Sequence, residues 1–426
     1  MLNARRGLNN RTTPLVFLGL LILASALAIP FANAQTVVAT VTVGSQPYGV
    51  AYDSAKGEVF VANAASNTVS VISDSTNAVV ATVAVGSGPG VVAYDSAKGE
   101  VFVSNGGSNT VSVISDSTNK VVANVTVSSP GYSAYDSAKG EVFVDSAGKV
   151  DVISDSTNKV VATVAVGIAP QGVAYDSAKG EVFVANEGYS TALSNIVSVI
   201  SDSANAVVAN VTLPVGSGPT GVAYDSGKGE VYVANSNGLT TMAVSVISDS
   251  ANAVVTNINL RYPVTGGGIA YDAARSEVFV GTAGNSVSVI SDSTNAVVAN
   301  VTVGRDSNGV TYDPAKGEVF VSNEFSNTVS VISDGASSST TTASSTTTTA
   351  HSSTTVTTSI STTGQSSSTT QTSTSSSTGG GGGVPEFPYQ FVIAAAFTLL
   401  LAASYLLVRR RTTPTGHPSQ ESHASA

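Results

Sequence analysis

The chain has 426 residues, no Cys, no Trp, three His and a formal net charge of −10. Absent thiols exclude a disulfide framework, thiolate metal sites and cysteine nucleophiles, and the placement of His351, His417 and His423 removes imidazole chemistry from everything before them. Between residues 35 and 383 twelve basic residues face 26 acidic ones, so the basic footprint of a nucleic-acid partner is missing.

Residues 1–34 open with Arg5, Arg6 and Arg11, continue in an apolar run over 15–29 and end in Ala32, Asn33 and Ala34. This is the layout of a secretory signal peptide, with Gln35 as the expected mature start.

Residues 35–335 are repetitive. Tyr52 of the first Ala-Tyr-Asp-Ser-Ala-Lys-Gly-Glu-Val-Phe-Val-Ala-Asn phrase recurs as Tyr94, Tyr135, Tyr175, Tyr224, Tyr271 and Tyr312, at intervals of 40 to 49 residues. That period fits four-stranded propeller blades. In the first unit β-branched and aromatic runs predict strands over 50–53, 58–63, 68–73 and 78–85. The link from Asp53 to Gly57 suits a tight hairpin, and Asn77 supplies the left-handed residue of the last turn.

The ends of the repeat region are out of phase. It begins with a lone fourth strand over 37–43 and finishes after a third strand over 328–333. Joining them predicts an all-β, seven-bladed β-propeller of four-stranded blades, its ring closed by the N-terminal strand.

The hairpins with Asp53, Lys56 and Glu58 repeat in every unit, where capping and solvation account for their charges. No His lies in the ring and no Asp-x-Asp loop appears, so no catalytic residue, metal or cofactor is expected. The connections between second and third strands, and between successive units, vary instead. The longest run over 186–195, 235–242 and 261–268. Variable loops on a rigid scaffold are where recognition resides, and Tyr189, Arg261, Tyr262, Arg305, Glu324 and Phe325 supply aromatic and charged groups there. The sequons at Asn124, Asn210 and Asn300 fall at one position of the outermost strand, where glycan would face water.

From 336 to 383 the composition collapses to Ser, Thr and Gly; such a tract buries too little surface to offset its ordering entropy and is expected to be a disordered stalk. Residues 384–390 contain Pro385, Glu386 and Phe387, residues 391–408 carry no charge, and Arg409, Arg410 and Arg411 begin the tail 409–426. Eighteen residues make roughly 27 Å of helix, which reads as one C-terminal transmembrane helix with its tail in the cytoplasm.

The units Tyr52-Asp53, Val59-Phe60-Val61-Ala62-Asn63 and Val69-Ser70-Val71-Ile72 resemble the YVTN-type β-propeller repeats of archaeal surface-layer and related proteins. The third repeat is read with Asp145, and the sixth with Thr282, at the Asn position. Pro385-Glu386-Phe387, the apolar segment and the arginines resemble archaeal C-terminal sorting signals, and cleavage there would exchange the helix for a lipid anchor. Together these features predict an exported, membrane-anchored surface module that binds an extracellular protein or glycan. The alternative is a structural surface-layer or envelope component; a propeller hydrolase or lyase ranks third.

Overall fold

The computed structural model describes residues 35–189, 192–236 and 243–335. The expected signal peptide, stalk, sorting segment, transmembrane segment and tail lie outside the described residues. Among the described residues no helix is long and apolar enough to cross a membrane; the helical element there is a single 3₁₀ turn, Glu324–Ser326.

The 28 strands form seven four-stranded antiparallel sheets. In the first blade the strands are Pro47–Asp53, Glu58–Asn63, Thr68–Ser73 and Ala78–Ala84, from the channel outward. Asp53 starts the first hairpin by accepting the N–H groups of Ala55 (2.8 Å) and Lys56 (3.2 Å) on Oδ1. Gly57 closes it at φ 65°, where an added Cβ would stand 2.5 Å from an Asp74 carboxylate oxygen, so conformation and space both require glycine. Asn77 ends the last turn at φ 50°.

The seventh blade draws on both ends of the repeat region. Strands Ser307–Asp313, Glu318–Asn323 and Thr328–Ser333 are joined by Thr36–Thr42, which pairs antiparallel with the last of them, Thr40 opposite Ser330. Phe320 then packs with Val59, Val61 and Ile72 of the first blade, as Phe60 packs with Val101, Val103 and Ile114 of the second. Both faces of the middle strands are apolar because each blade is buried between two neighbours. Phe60, Phe102, Phe143, Phe183, Phe279 and Phe320 are fully buried.

Two regular irregularities shape the disc. The inner strand bulges against the second in each blade, as between Pro47 and Val50, which turns residues such as Tyr48 and Gly49 toward the central channel. The outer strand bulges as well: Val71 and Ile72 pair with Ala81 and Val79, leaving Val80 unpaired. The matching valines of the seven blades, Val38 to Val298, are 51% to 54% exposed.

Candidate recognition face

One face of the disc is stapled. Lys56 Nζ lies 3.5 Å from Asp116 of the next blade, and the same pair recurs as Lys98–Asp155, Lys139–Asp202, Lys179–Asp249, Lys228–Asp292 and, from the seventh blade to the first, Lys316–Asp74 at 3.0 Å. At the sixth blade Arg275 pairs instead with Glu277, at 3.6 Å. The repeated tyrosines add a second ring. Tyr52 donates to Asp74 Oδ2 of its own blade at 3.3 Å. Burial, together with Asp313 of the preceding blade, raises its pKa well above the usual tyrosine range. Tyr94 stands in the same relation to Asp53, and Tyr312 to Asp272. The repeated charges therefore tie blades together, a role that capping and solvation alone did not anticipate.

The opposite face carries the variable connections. Asn67 Oδ1 accepts the Gly88 N–H at 2.9 Å and Asn327 Oδ1 that of Gln46 at 2.9 Å, so these turns hold the loop beside them. In six of the seven blades the residue entering the inner strand is left-handed, even where it is not glycine, as at Gln46 (φ 54°), Ser129 (45°), Ala169 (47°) and Asp306 (61°). Such backbone costs of order 1 kcal/mol per residue and is tolerated where the fold imposes it.

Of the residues expected to recognise a partner, two pairs are formed. The Arg261 guanidinium lies 5.2 Å from the Tyr262 ring centre and that of Arg305 lies 5.4 Å from the ring of Phe325, which is 53% exposed. Glu324 accepts from Asn308 Nδ2 at 2.5 Å. Tyr189 ends the strand Glu181–Tyr189, its backbone opposite Ala192. The connection over 186–195 is thus no loop: both strands extend, pairing Gly188 with Leu193. Part of 261–268 is likewise strand, since the inner strand of the sixth blade starts at Val264. Residues 237–242 lie outside the described residues.

Asn124, Asn210 and Asn300 are exposed on the outer strands. Their Oδ1 atoms accept from Ser112, Ser198 and Ser288 at 2.8, 2.9 and 2.9 Å, a bond that does not occupy the amide nitrogen to which glycan attaches.

The third repeat requires a correction. Ser146 stands opposite Lys149 as Asn63 stands opposite Thr68, and Asp145 stands opposite Val150 as Ala62 opposite Val69. The residue replacing Asn is therefore Ser146. Asn63 itself is structural: its Nδ2 donates to Thr68 (3.2 Å) and Ser70 (3.0 Å), and Gly44 packs directly on it.

Asp145, by contrast, occupies a position filled elsewhere by Ala, Ser or Gly. It is 4% exposed, and its Oδ2 has no hydrogen-bond partner. Burial pushes its pKa up to about 8 against the opposing pull of the Tyr132 and Gly131 N–H groups. Tyr132 replaces the glycine or valine found at its position in other inner strands. Its hydroxyl meets that of Tyr48 at 3.2 Å and donates to the Gly266 carbonyl on another blade. Burial raises the pKa of both tyrosines, and Glu187 adds to the effect. The two rings line both a small channel cavity of about 140 Å³ and a larger cleft of about 490 Å³ that also includes Asp145, Ser129 and Gln171. In the sequence Asp145 stands out only as an apparent replacement of Asn, and Tyr48 and Tyr132 not at all; aligning the second strands position by position sets Asp145 against Ala, Ser and Gly instead.

No family model and no curated protein matches the chain. Among solved structures it is similar to Kuenenia stuttgartiensis hydrazine synthase, with a TM-score of 0.60 and 19% identity over 68% of this chain and 95% of that one. At that identity the likeness shows the propeller fold alone.

Proposed function

We propose that the chain is an exported, membrane-anchored β-propeller of the YVTN-like surface type, which recognises an extracellular protein or glycan through its variable face and catalyses no reaction. One observation carries this reading: the stapled face repeats the same ion pairs, whereas the other face presents different exposed groups from blade to blade, including the Arg261–Tyr262 and Arg305–Phe325 pairs. Arginine and aromatic side chains are the types that carry binding energy at interfaces. The N-terminal signal layout and the apolar 391–408 segment before three arginines support export and anchoring, by helix or by lipid. Exposed Asn124, Asn210 and Asn300 are the glycan acceptors in this reading.

The test is retention of envelope glycans and proteins by the full-length chain beside a variant with Arg261→Ala, Tyr262→Ala, Arg305→Ala and Phe325→Ala. Retention by the parent and its loss in the variant is the expected result. Equal retention by both would sink the assignment of this face. Mass spectrometry of peptides from the natively produced protein should find glycan on the three asparagines.

A further inference from the structure

We propose that the cleft over the third blade binds a primary ammonium group, with the Asp145 carboxylate as counter-ion and Tyr48 and Tyr132 as the floor. The inference rests on the recognition reading above and gives that face a ligand chemistry.

The third blade departs from its siblings in a concerted way. Its turn between second and third strands has two residues, Ala147 and Gly148, where the first blade has four between Asn63 and Thr68. The shortened turn borders the cleft, which also includes Ser129 and Gln171. Tyr132, Ser133, Asp145 and Asp151 each occupy a position where no other blade carries the same residue. Repeats keep what holds blades together, as the recurring Lys–Asp pairs do; of the four, Tyr132 and Asp145 line the cleft itself, and two departures from the repeat that meet in one cleft call for a role there.

The chemistry follows from what lines it. Asp145 is the one acidic or basic side chain in the lining. Nearby Lys149 is engaged by Asp151 at 3.1 Å, and Asp151 is held ionised by Ser146 (2.7 Å), Thr163 (2.6 Å) and that lysine. An anionic ligand would find no cation in the lining. A metal ion would find one carboxylate, and no cluster of three metal-binding side chains occurs among the described residues. An ammonium group supplies donors for the unpartnered Oδ2 and neutralises a carboxylate that is itself only 4% exposed at the cleft. It also gains from the electron-rich tyrosine rings. A volume of about 490 Å³ accommodates a lysine side chain or an amino sugar.

The probe is n-butylammonium chloride, with n-butanol as its neutral isostere, titrated into the full-length chain at about pH 9, where the Asp145 carboxyl has given up its proton and the amine has kept its own, while tyrosine emission is read. We expect saturable binding of butylammonium at least about tenfold tighter than butanol, and a loss of about tenfold or more in Asp145→Asn, which removes the charged partner of the hydrogen bond. Gln171→Lys, which tethers an ammonium beside the carboxylate, should weaken butylammonium binding as well. Equal binding of the two probes, or undiminished binding in a folded Asp145→Asn, overturns the inference. If Asp145→Asn does not fold, undiminished binding in Gln171→Lys overturns it. Envelope retention that persists while butylammonium fails to bind sinks this site and leaves the recognition reading standing. Asp145-dependent binding without any envelope retention does the reverse.

Discussion

The two faces of the disc are made from the same seven repeats and have opposite characters. On one, Lys56 and its counterparts reach across each of six junctions to an aspartate, and a tyrosine at every junction stands beside the aspartate of the preceding blade. On the other, the turns are held locally by Asn67, Asn109 and Asn327, and the side chains beyond them change from blade to blade. Cohesion on one face leaves the other free to vary, because the geometry of a loop no longer decides whether the ring holds. Charge alone therefore does not mark a functional residue in this molecule; a charge that breaks the repeat does.

Substitutions at the core, the cleft and the rim test that division, in decreasing order of effect. Phe320→Ala, at the junction of the seventh and first blades, should cost about 3–5 kcal/mol, as buried phenylalanine truncations do; chemical denaturation measures it. A loss below 1 kcal/mol would mean that this junction does not hold the ring.

Asp145 gives a pH test. Its carboxyl titrates near pH 8 in the folded protein, against an ordinary value of about 3.9 in the unfolded chain. Between these values the folded state holds a proton that the unfolded state lacks, so stability falls as pH rises, by up to about 1.4 kcal/mol per pH unit. Glu58, Glu100 and Glu318, raised by burial, act in the same direction. Asp145→Ser, which installs the residue of Ser104 and Ser322, should flatten the decline between about pH 6 and 8 and raise the melting temperature at pH 8. An unchanged profile would show that the carboxyl ionises freely.

At the rim, Arg305→Ala should change stability by about 0.5–1 kcal/mol, the worth of an exposed cation–π pair, while abolishing partner retention. A large drop in the melting temperature would move that residue from the variable face to the scaffold.

Much of the scaffold was legible in the residues. The strands 58–63, 68–73 and 328–333 have the bounds expected from their β-branched runs, because buried strands announce themselves through composition. The inner strand begins at Pro47, ahead of the expected residue 50, since Pro47 and Gly49 lack strand propensity and the bulge after Pro47 breaks the pairing there. The hairpin extension past Asn186 was also hidden, as Glu187 and Gly188 have no strand preference of their own. The cleft escaped for another reason. Tyr48 and Tyr132 are 84 residues apart and meet only when the first and third blades share one channel, and Asp145 was read one position out of register in its repeat.

The outer-strand bulge has a consequence for neighbours. Each disc ends in seven edge strands whose ladder is interrupted at one valine, and a kinked edge cannot accept a straight strand from another molecule along its length. Crowded side by side at high density, such discs can jostle rim to rim without zippering into fibrils.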